Sequence, residues 1–284
     1  MTDDLTEAPT LAREDFLTLD DPYFTRDNVA LVTGGGSGIG QAVALGMAEN
    51  GLTALATDID EEGLEATAEK ADDLGIEGVH TVEGDLTSDE DMDAIVEEAA
   101  SLGDIKFLVN IAGLQHVAPI EDFPMEQYDL MHDAMLRAPL YLTKRCLPHI
   151  RDSEDGVGAV GNMCSIHGHY VTKDKVAYNM AKFGLRGLTQ SIAAEGEGKV
   201  RAFTVSTAYV KTPLVTNQIA DTAQERGISE EEVVEDVMLG QARVKEMMTP
   251  AEVANLFTFA FSENGKYLDG GDLLWDGGYT LTYE

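Results

Sequence analysis

The sequence predicts an α/β fold: a single-domain, doubly wound parallel sheet of about seven strands with helices on both faces. Three observations carry this. Short apolar runs alternate with longer segments of helical period, the pattern of parallel strands joined by crossover helices. A glycine-rich turn follows the first run directly. No linker or internal repeat interrupts residues 28–284, so one domain is expected there.

The runs are NVALVTG at 28–34, TALATDI at 53–59, GVHTVEGD at 78–85, KFLVNIAG at 106–113, VGAVGNMCS at 157–165, VRAFTVS at 200–206 and DLLWDGG at 272–278. Helices are expected near 39–51, 61–74, 88–102, 125–150, 176–196, 214–243 and 250–262. The Thr-Pro pairs at 212–213 and 249–250 suit helix starts, because proline is tolerated in a first turn. Residues 1–27 have poor periodicity and clustered Asp, Thr and Pro, and read as an acidic N-terminal arm.

A hydrophobic fraction of 44% is ample for a buried core. The charge is lopsided, 52 Asp and Glu against 19 Lys and Arg, for a formal net charge of −33. Residues 1–27 hold eight acids against Arg13 and Arg26, a net of only −6, so the excess is spread over the globule. Such a field repels phosphates and anionic lipid, which excludes nucleic acid and membrane as partners. It also suggests adaptation to high salt, where counterions screen self-repulsion. The plainer alternative is an ordinary acidic, soluble protein. Two cysteines, Cys146 and Cys164, make no disulfide framework and suit a reducing cytoplasm. The start MTDDLTEAPTLARED lacks the basic and apolar regions of a signal peptide, and no apolar run approaches the roughly 20 residues of a membrane helix. A cytoplasmic protein is expected.

The first strand runs into TGGGSGIG (Thr33 to Gly40) and then the helical segment QAVALGMAENG. Gly34, Gly38 and Gly40 stand where the backbone must turn sharply and let a pyrophosphate approach. The helix N-terminus then offers unpaired N–H groups to an anion. This is the Rossmann arrangement for a dinucleotide. Asp58 ends the second strand about 20 residues later, where a carboxylate accepts bonds from the adenosine ribose and repels a 2′-phosphate. NAD is therefore expected over NADP, although Asp60 beside it could be a mere helix cap. Asp85, after the third strand, could accept a bond from the adenine amino group or cap the helix from 88.

YNMAK places Tyr178 and Lys182 four apart, on one face of a helix. A tyrosine near pKa 10 is a poor base at neutral pH, and an adjacent ammonium would favour its phenolate. Ser165, ending the preceding strand, can hydrogen-bond an oxygen on which charge develops. A YxxxK string is common by chance; Ser165 thirteen residues ahead of it, downstream of the glycine turn, is not. His167 and His169 lack a third and fourth ligand in sequence, so no metal site is expected.

TGGGSGIG, GDLT, NIAG (110–113), Ser165 and YNMAK arrive in an order and spacing that resembles the short-chain dehydrogenase/reductase family over roughly 28–280. The resemblance implies a Ser165–Tyr178–Lys182 centre, a homotetramer, and nicotinamide dinucleotide binding. The matching binding positions are Gly34, Ser37, Gly38, Ile39, Gly40, Asp58, Asp85, Leu86, Asn110, Ala112, Gly113, Tyr178, Lys182, Val210 and Thr212. Within the family, NIAGLQHVAPIEDFP (110–124), SIHGHYVTKDKVAY (165–178), TPLVTNQI (212–219) and WDGGYT (275–280) look like D-3-hydroxybutyrate dehydrogenases. That likeness implies interconversion of (R)-3-hydroxybutyrate and acetoacetate, with Gln115, His167, Lys175 and Gln218 holding the substrate. Lys175 lies three residues before Tyr178 and could pair with a carboxylate, while His167 lies two beyond Ser165 on the same strand face.

Two positions depart from the family. Met135 stands where its catalytic asparagine belongs, and methionine cannot serve a proton relay of the usual kind. Thr207 and Ala208 replace a Pro-Gly turn, leaving Val210 and Thr212 to contact the nicotinamide amide. Residues around 212–248 resemble a mobile lid whose closure would exclude water, or form a plain helix pair. The alternatives at this point are an enzyme for another hydroxy acid, a sugar or a 3-oxoacyl thioester, and a catalytically weak NAD-binding scaffold.

Overall fold

A computed structural model describes residues 9–281. Seven parallel strands form one sheet in the order β3-β2-β1-β4-β5-β6-β7. They are β1 (Asn28–Thr33), β2 (Thr53–Asp58), β3 (Val79–Glu83), β4 (Asp104–Asn110), β5 (Gly158–Met163), β6 (Val200–Thr207) and β7 (Gly271–Trp275). Because the order reverses between β1 and β4, their carboxyl ends open a crevice, the place where open α/β sheets bind ligands. All seven strands fall where the sequence places them.

Two apolar layers sandwich the sheet. One packs α1 (Gly38–Glu49) and α9 (Pro250–Phe261) on it through Leu45, Met47, Phe257 and Phe261. The other packs α3 (Asp89–Leu102), α5 (Ala138–Asp152) and α6 (Val176–Gly196) through Met92, Ile95, Leu142 and Ile192. α2 (Glu61–Leu74) flanks the β3 edge and ends on Gly75 in the left-handed conformation. The N-terminal segment is more than an acidic arm. Leu11, Phe16 and Phe24 are buried in the first layer, and Asn50 bonds the main chain of Leu17 and Leu19.

Three local departures from the sequence reading matter for the site. The fifth strand stops at Met163 rather than Ser165. The Ser165 hydroxyl accepts from the His167 N–H and starts a short 3-10 turn, Ile166–Gly168. The helix expected at 125–150 is α4 (Met125–His132) and α5 joined by a π turn, Asp133–Arg137. The stretch expected as one helix at 214–243 breaks into α7 (Pro213–Arg226) and α8 (Glu230–Glu232), which runs into a second π turn, Val233–Met238. Gly227 ends α7 at φ 66°, and Ser229 with Glu232 forms a capping box that starts α8. Among the described residues no helix is long and apolar enough to cross a membrane.

Candidate active site

The crevice holds a cavity of about 520 Å³, within the range of small-molecule sites. Gly34, Ser37, Gly38, Ile39 and Gly40 line it from the first turn, Asp58 from the end of β2, and Asp85 and Leu86 from beyond β3. Ala112, Gly113, Ser165, Tyr178, Lys182, Val210 and Thr212 complete it.

The glycine turn is fixed by sterics. A Cβ on Gly40 would lie 1.9 Å from the Gly34 carbonyl oxygen, and Gly34 itself has φ 71°. Ser37 makes no capping hydrogen bond, so the first N–H groups of α1 remain available to an anion. Asp58 is held from two sides: the Gly36 N–H donates to its Oδ2 at 3.0 Å and the Asp60 N–H to its Oδ1 at 3.1 Å. Asp60 occupies the N-cap of α2 but makes no side-chain capping bond. Asp85 does not cap α3. Ser88 does so by accepting from the Asp91 N–H, while Asp85 accepts from Thr87. Thr33 Oγ1 accepts from the Ile111 and Ala112 N–H groups and ties the loop after β4 to β1.

Asn110 does not line the cavity. Its Nδ2 donates at 2.8 Å to Asn162 Oδ1, the facing residue on β5, and Asn162 Nδ2 donates to Thr189 on α6. This buried chain staples the two strands to the helix that carries the tyrosine. Asn162 is a polar residue inside an apolar run, a signal the sequence reading passed over.

Tyr178 and Lys182 lie on α6 as their spacing requires. The Lys182 Nζ donates to the Met163 carbonyl at 2.8 Å and stands 5.4 Å from the centre of the Tyr178 ring. Burial pushes the Tyr178 phenol up to about 12, partly offset by a hydrogen bond with Ser165. Burial pulls the Lys182 ammonium down to about 8. Among the protein's own groups the cost of burying a phenolate governs Tyr178, and the expected downward push of Lys182 does not register. Met163, whose carbonyl receives the ammonium, is a site residue invisible to side-chain reasoning.

None of the four expected substrate residues lines that cavity, and one of them, His167, touches Ser165. His167 Nδ1 lies 3.2 Å from Ser165 Oγ, and its Nε2 lies 3.0 Å from Thr172 Oγ1. The contact is made through the 3-10 turn, not along a strand face. Burial, then the charges of Lys175 and Lys182, hold His167 down at about 4. Lys175 sits at the N-cap of α6, half-buried, with no ion-pair partner among the described residues, and burial lowers its pKa. Gln115 Nε2 donates to Gln218 Oε1 at 3.3 Å, joining the loop after β4 to α7. Met135 is 1% exposed and packs with Met131, Ala177 and Ala181 behind Tyr178.

A family model described as enoyl-(acyl carrier protein) reductase matches residues 34–280. A D-beta-hydroxybutyrate dehydrogenase of Rhizobium meliloti (strain 1021) is 33% identical over 254 residues, 88% of this chain and 98% of that protein. A diacetyl reductase of Staphylococcus aureus (strain Mu50), forming (S)-acetoin, is also 33% identical, over 89% of this chain and 98% of its own. The crystal structure of levodione reductase superposes with a TM-score of 0.84 at 27% identity, covering 91% of this chain and 100% of that one. The chain belongs to the short-chain dehydrogenase/reductase family and is an oxidoreductase. That fold binds a nicotinamide cofactor, and the side-chain-free cradle beside the uncapped α1 N-terminus fits its pyrophosphate.

Proposed function

We propose that the protein interconverts (R)-3-hydroxybutyrate and acetoacetate with NAD, taking hydride from, or giving it to, the carbon that bears the hydroxyl. The observation that carries the reading is Lys175. In a chain of net charge −33, a half-buried lysine with no ion-pair partner among the described residues suits a carboxylate brought by the substrate. His167 is near enough to feel its charge and touches Ser165, so a short hydroxy acid can span from Lys175 to the Ser165–Tyr178 pair. Gln115 and Gln218, bonded to each other, would supply the substrate's remaining polar contacts.

The roles of the chain's own residues follow. Ser165 donates a hydrogen bond to the reacting oxygen, Tyr178 exchanges its proton, and Lys182 supplies positive charge that favours the phenolate. The glycine turn, Asp85, Leu86, Ala112 and Gly113 would seat the dinucleotide, and Val210 and Thr212 its nicotinamide end. The bound cofactor supplies the hydride acceptor or donor. Asp58 favours NAD, because its pinned carboxylate cannot move away from a 2′-phosphate. Exposed Leu140 on α5 and Met180 and Phe183 on α6 suit a helix-to-helix interface between copies, in keeping with a homotetramer.

The test is NADH absorbance with a panel of hydroxy acids, neutral alcohols and 3-oxoacyl thioesters. Turnover of 3-hydroxybutyrate is expected, and Lys175→Ala should raise KM for the free acid about a hundredfold while sparing neutral alcohols. A flat trace with 3-hydroxybutyrate beside turnover of another alcohol would refute the substrate. Tight NAD binding without turnover across the panel would favour a scaffold.

A further inference from the structure

Of the two neighbouring histidines, His167 and His169, the proposed function uses only the first. His167 meets Ser165 and Thr172, whereas His169 follows the same 3-10 turn and meets the far strands of the sheet. It does not line the crevice cavity. Its Nε2 lies 3.3 Å from Ser206 Oγ on β6 and 2.9 Å from Asp272 Oδ2 on β7. The neighbours decide which way that bond runs. Ser206 donates its one hydroxyl proton to Asp272 Oδ1 at 2.7 Å, and Thr204 donates to the same oxygen. Both atoms that face His169 can therefore only accept, so Nε2 carries a proton, given to Ser206 with the carboxylate alongside.

The turn needs such a hold. Ser165 lies two residues past the end of β5, and the sheet's ladder follows the chain only to Cys164, whose N–H donates to the Val205 carbonyl at 2.8 Å. Beyond that point the turn is closed on itself. The Gly168 N–H donates to the Ser165 carbonyl and the His169 N–H to the Ile166 carbonyl, both at 2.8 Å, so the exit of the turn and Ser165 move together. Helix α6 walls the turn on one side. Arg186 Nη1 donates to the Gly168 carbonyl at 2.8 Å, and a Cβ on Gly168 would lie 2.6 Å from Cys164 Sγ and 3.1 Å from the Lys182 carbonyl oxygen. Toward β6 and β7 the exit is held by His169, half-buried against the half-buried Asp272. Asp272 is itself fixed by the Thr204 and Ser206 hydroxyls of the paired strand before the histidine reaches it.

We infer that His169, bonded to Ser206 and paired with Asp272, is a positioning residue: it anchors the exit of the turn to the sheet and thereby sets where Ser165 Oγ stands against the reacting oxygen. Neither His169 nor Asp272 lines the cavity, and no bond is made or broken at either during turnover. The inference rests on the proposed role of Ser165 as donor to that oxygen, but not on the identity of the alcohol. Without His169 the turn would keep its root on β6 and its contact with α6, while its exit would lose the sheet. A misplacement of about 1 Å in a group that serves the reacting atoms is enough to slow chemistry by up to about a hundredfold. The dinucleotide, whose pyrophosphate fits the glycine turn instead, would bind as before.

The test uses the full chain and whichever alcohol the wild type oxidises best. His169→Leu, which keeps bulk and loses the donor, should lower kcat about tenfold with KM for NAD within about twofold. His169→Gln should restore most of the loss, because its amide N–H can stand where the Nε2–H stood. In a Ser165→Ala background the same leucine should change kcat by less than about twofold, since no hydroxyl is left to misplace. Apart from turnover, ¹⁵N-histidine NMR of the wild type should show His169 protonated on Nε2, its signal identified by its loss in His169→Gln. An unchanged kcat in His169→Leu, an equal loss in His169→Gln, a second tenfold loss on top of Ser165→Ala, or a bare Nε2 would each overturn the inference. Full turnover by Ser165→Ala alone would remove the role of Ser165 on which the inference rests, in a variant that leaves His169 and Asp272 intact, so the two readings fail separately.

Discussion

The proposed preference for NAD rests on a single carboxylate, Asp58. Two main-chain N–H groups hold it at the crevice, where on the proposed reading its charge would meet an arriving ribose without prior rearrangement. Asp58→Ser should weaken NAD binding and improve NADP binding, moving their affinity ratio about a hundredfold, as expected for removing a fixed repulsion near a dianion. Isothermal titration with both dinucleotides measures this, and an unmoved ratio sinks the assignment. His167 makes a different demand, on pH. Its folded value of about 4 lies below the ordinary 6.5, so as pH falls the unfolded chain takes up the proton first. The stability that goes with a neutral His167 is therefore whole above pH 6.5 and is lost as the pH approaches 4. The gap corresponds to at most about 3 kcal/mol. His167→Gln should flatten the fall in unfolding free energy between pH 6.5 and 4, read by urea denaturation; parallel curves for the two proteins would refute it.

At the scale of elements, the first turn carries the least tolerance. A methyl on Gly40 would be driven into the Gly34 carbonyl, against backbone that α1 and β1 both hold. Gly40→Ala should cost about 3 kcal/mol, the upper end of the usual penalty for overpacking, and abolish dinucleotide binding in the fraction that folds. Melting curves with and without NAD check both; a normal melting temperature that still rises with NAD would contradict the cradle. This turn, the seven strands and the Tyr178–Lys182 pair were legible in the sequence because each depends on local spacing. The split of α7 from α8 was also readable, in Gly227 and the Ser229–Glu232 box, but apolar periodicity runs across the break and hides it. The π turn at Met135 was not readable, since one extra residue in a helical turn leaves the apolar pattern nearly unchanged. Nor was the docking of Leu11, Phe16 and Phe24, whose irregular spacing follows the surface they cover rather than a regular element. The proposed substrate end was readable only through resemblance, because its residues come from the loop after β4, the 3-10 turn, the start of α6 and α7.

The whole molecule is governed by its charge. With 19 Lys and Arg for 52 Asp and Glu, most acids can have no basic partner of their own, one to one. A net −33 spread over 13467 Å² of surface leaves roughly one excess charge per 400 Å², or about 20 Å between neighbours. That spacing exceeds the Debye length of about 10 Å at 0.1 M salt but falls inside the length of about 30 Å at 0.01 M. Repulsion in dilute buffer therefore acts between many charges at once, and the folded state, being the more compact, bears more of it than the unfolded chain. Raising KCl from 0.01 to 0.1 M should recover most of the long-range part, and a further rise to 2 M should add a smaller gain from closer acid pairs. We expect the melting temperature to climb by about ten degrees in total, the equivalent of a few kcal/mol for a chain of this size. Sucrose at matched osmolality should reproduce little of the first step, because it carries no counterions. A melting temperature that stays level from 0.01 to 2 M KCl would show that the acidic surface imposes no such cost, and adaptation to high salt would have to be abandoned.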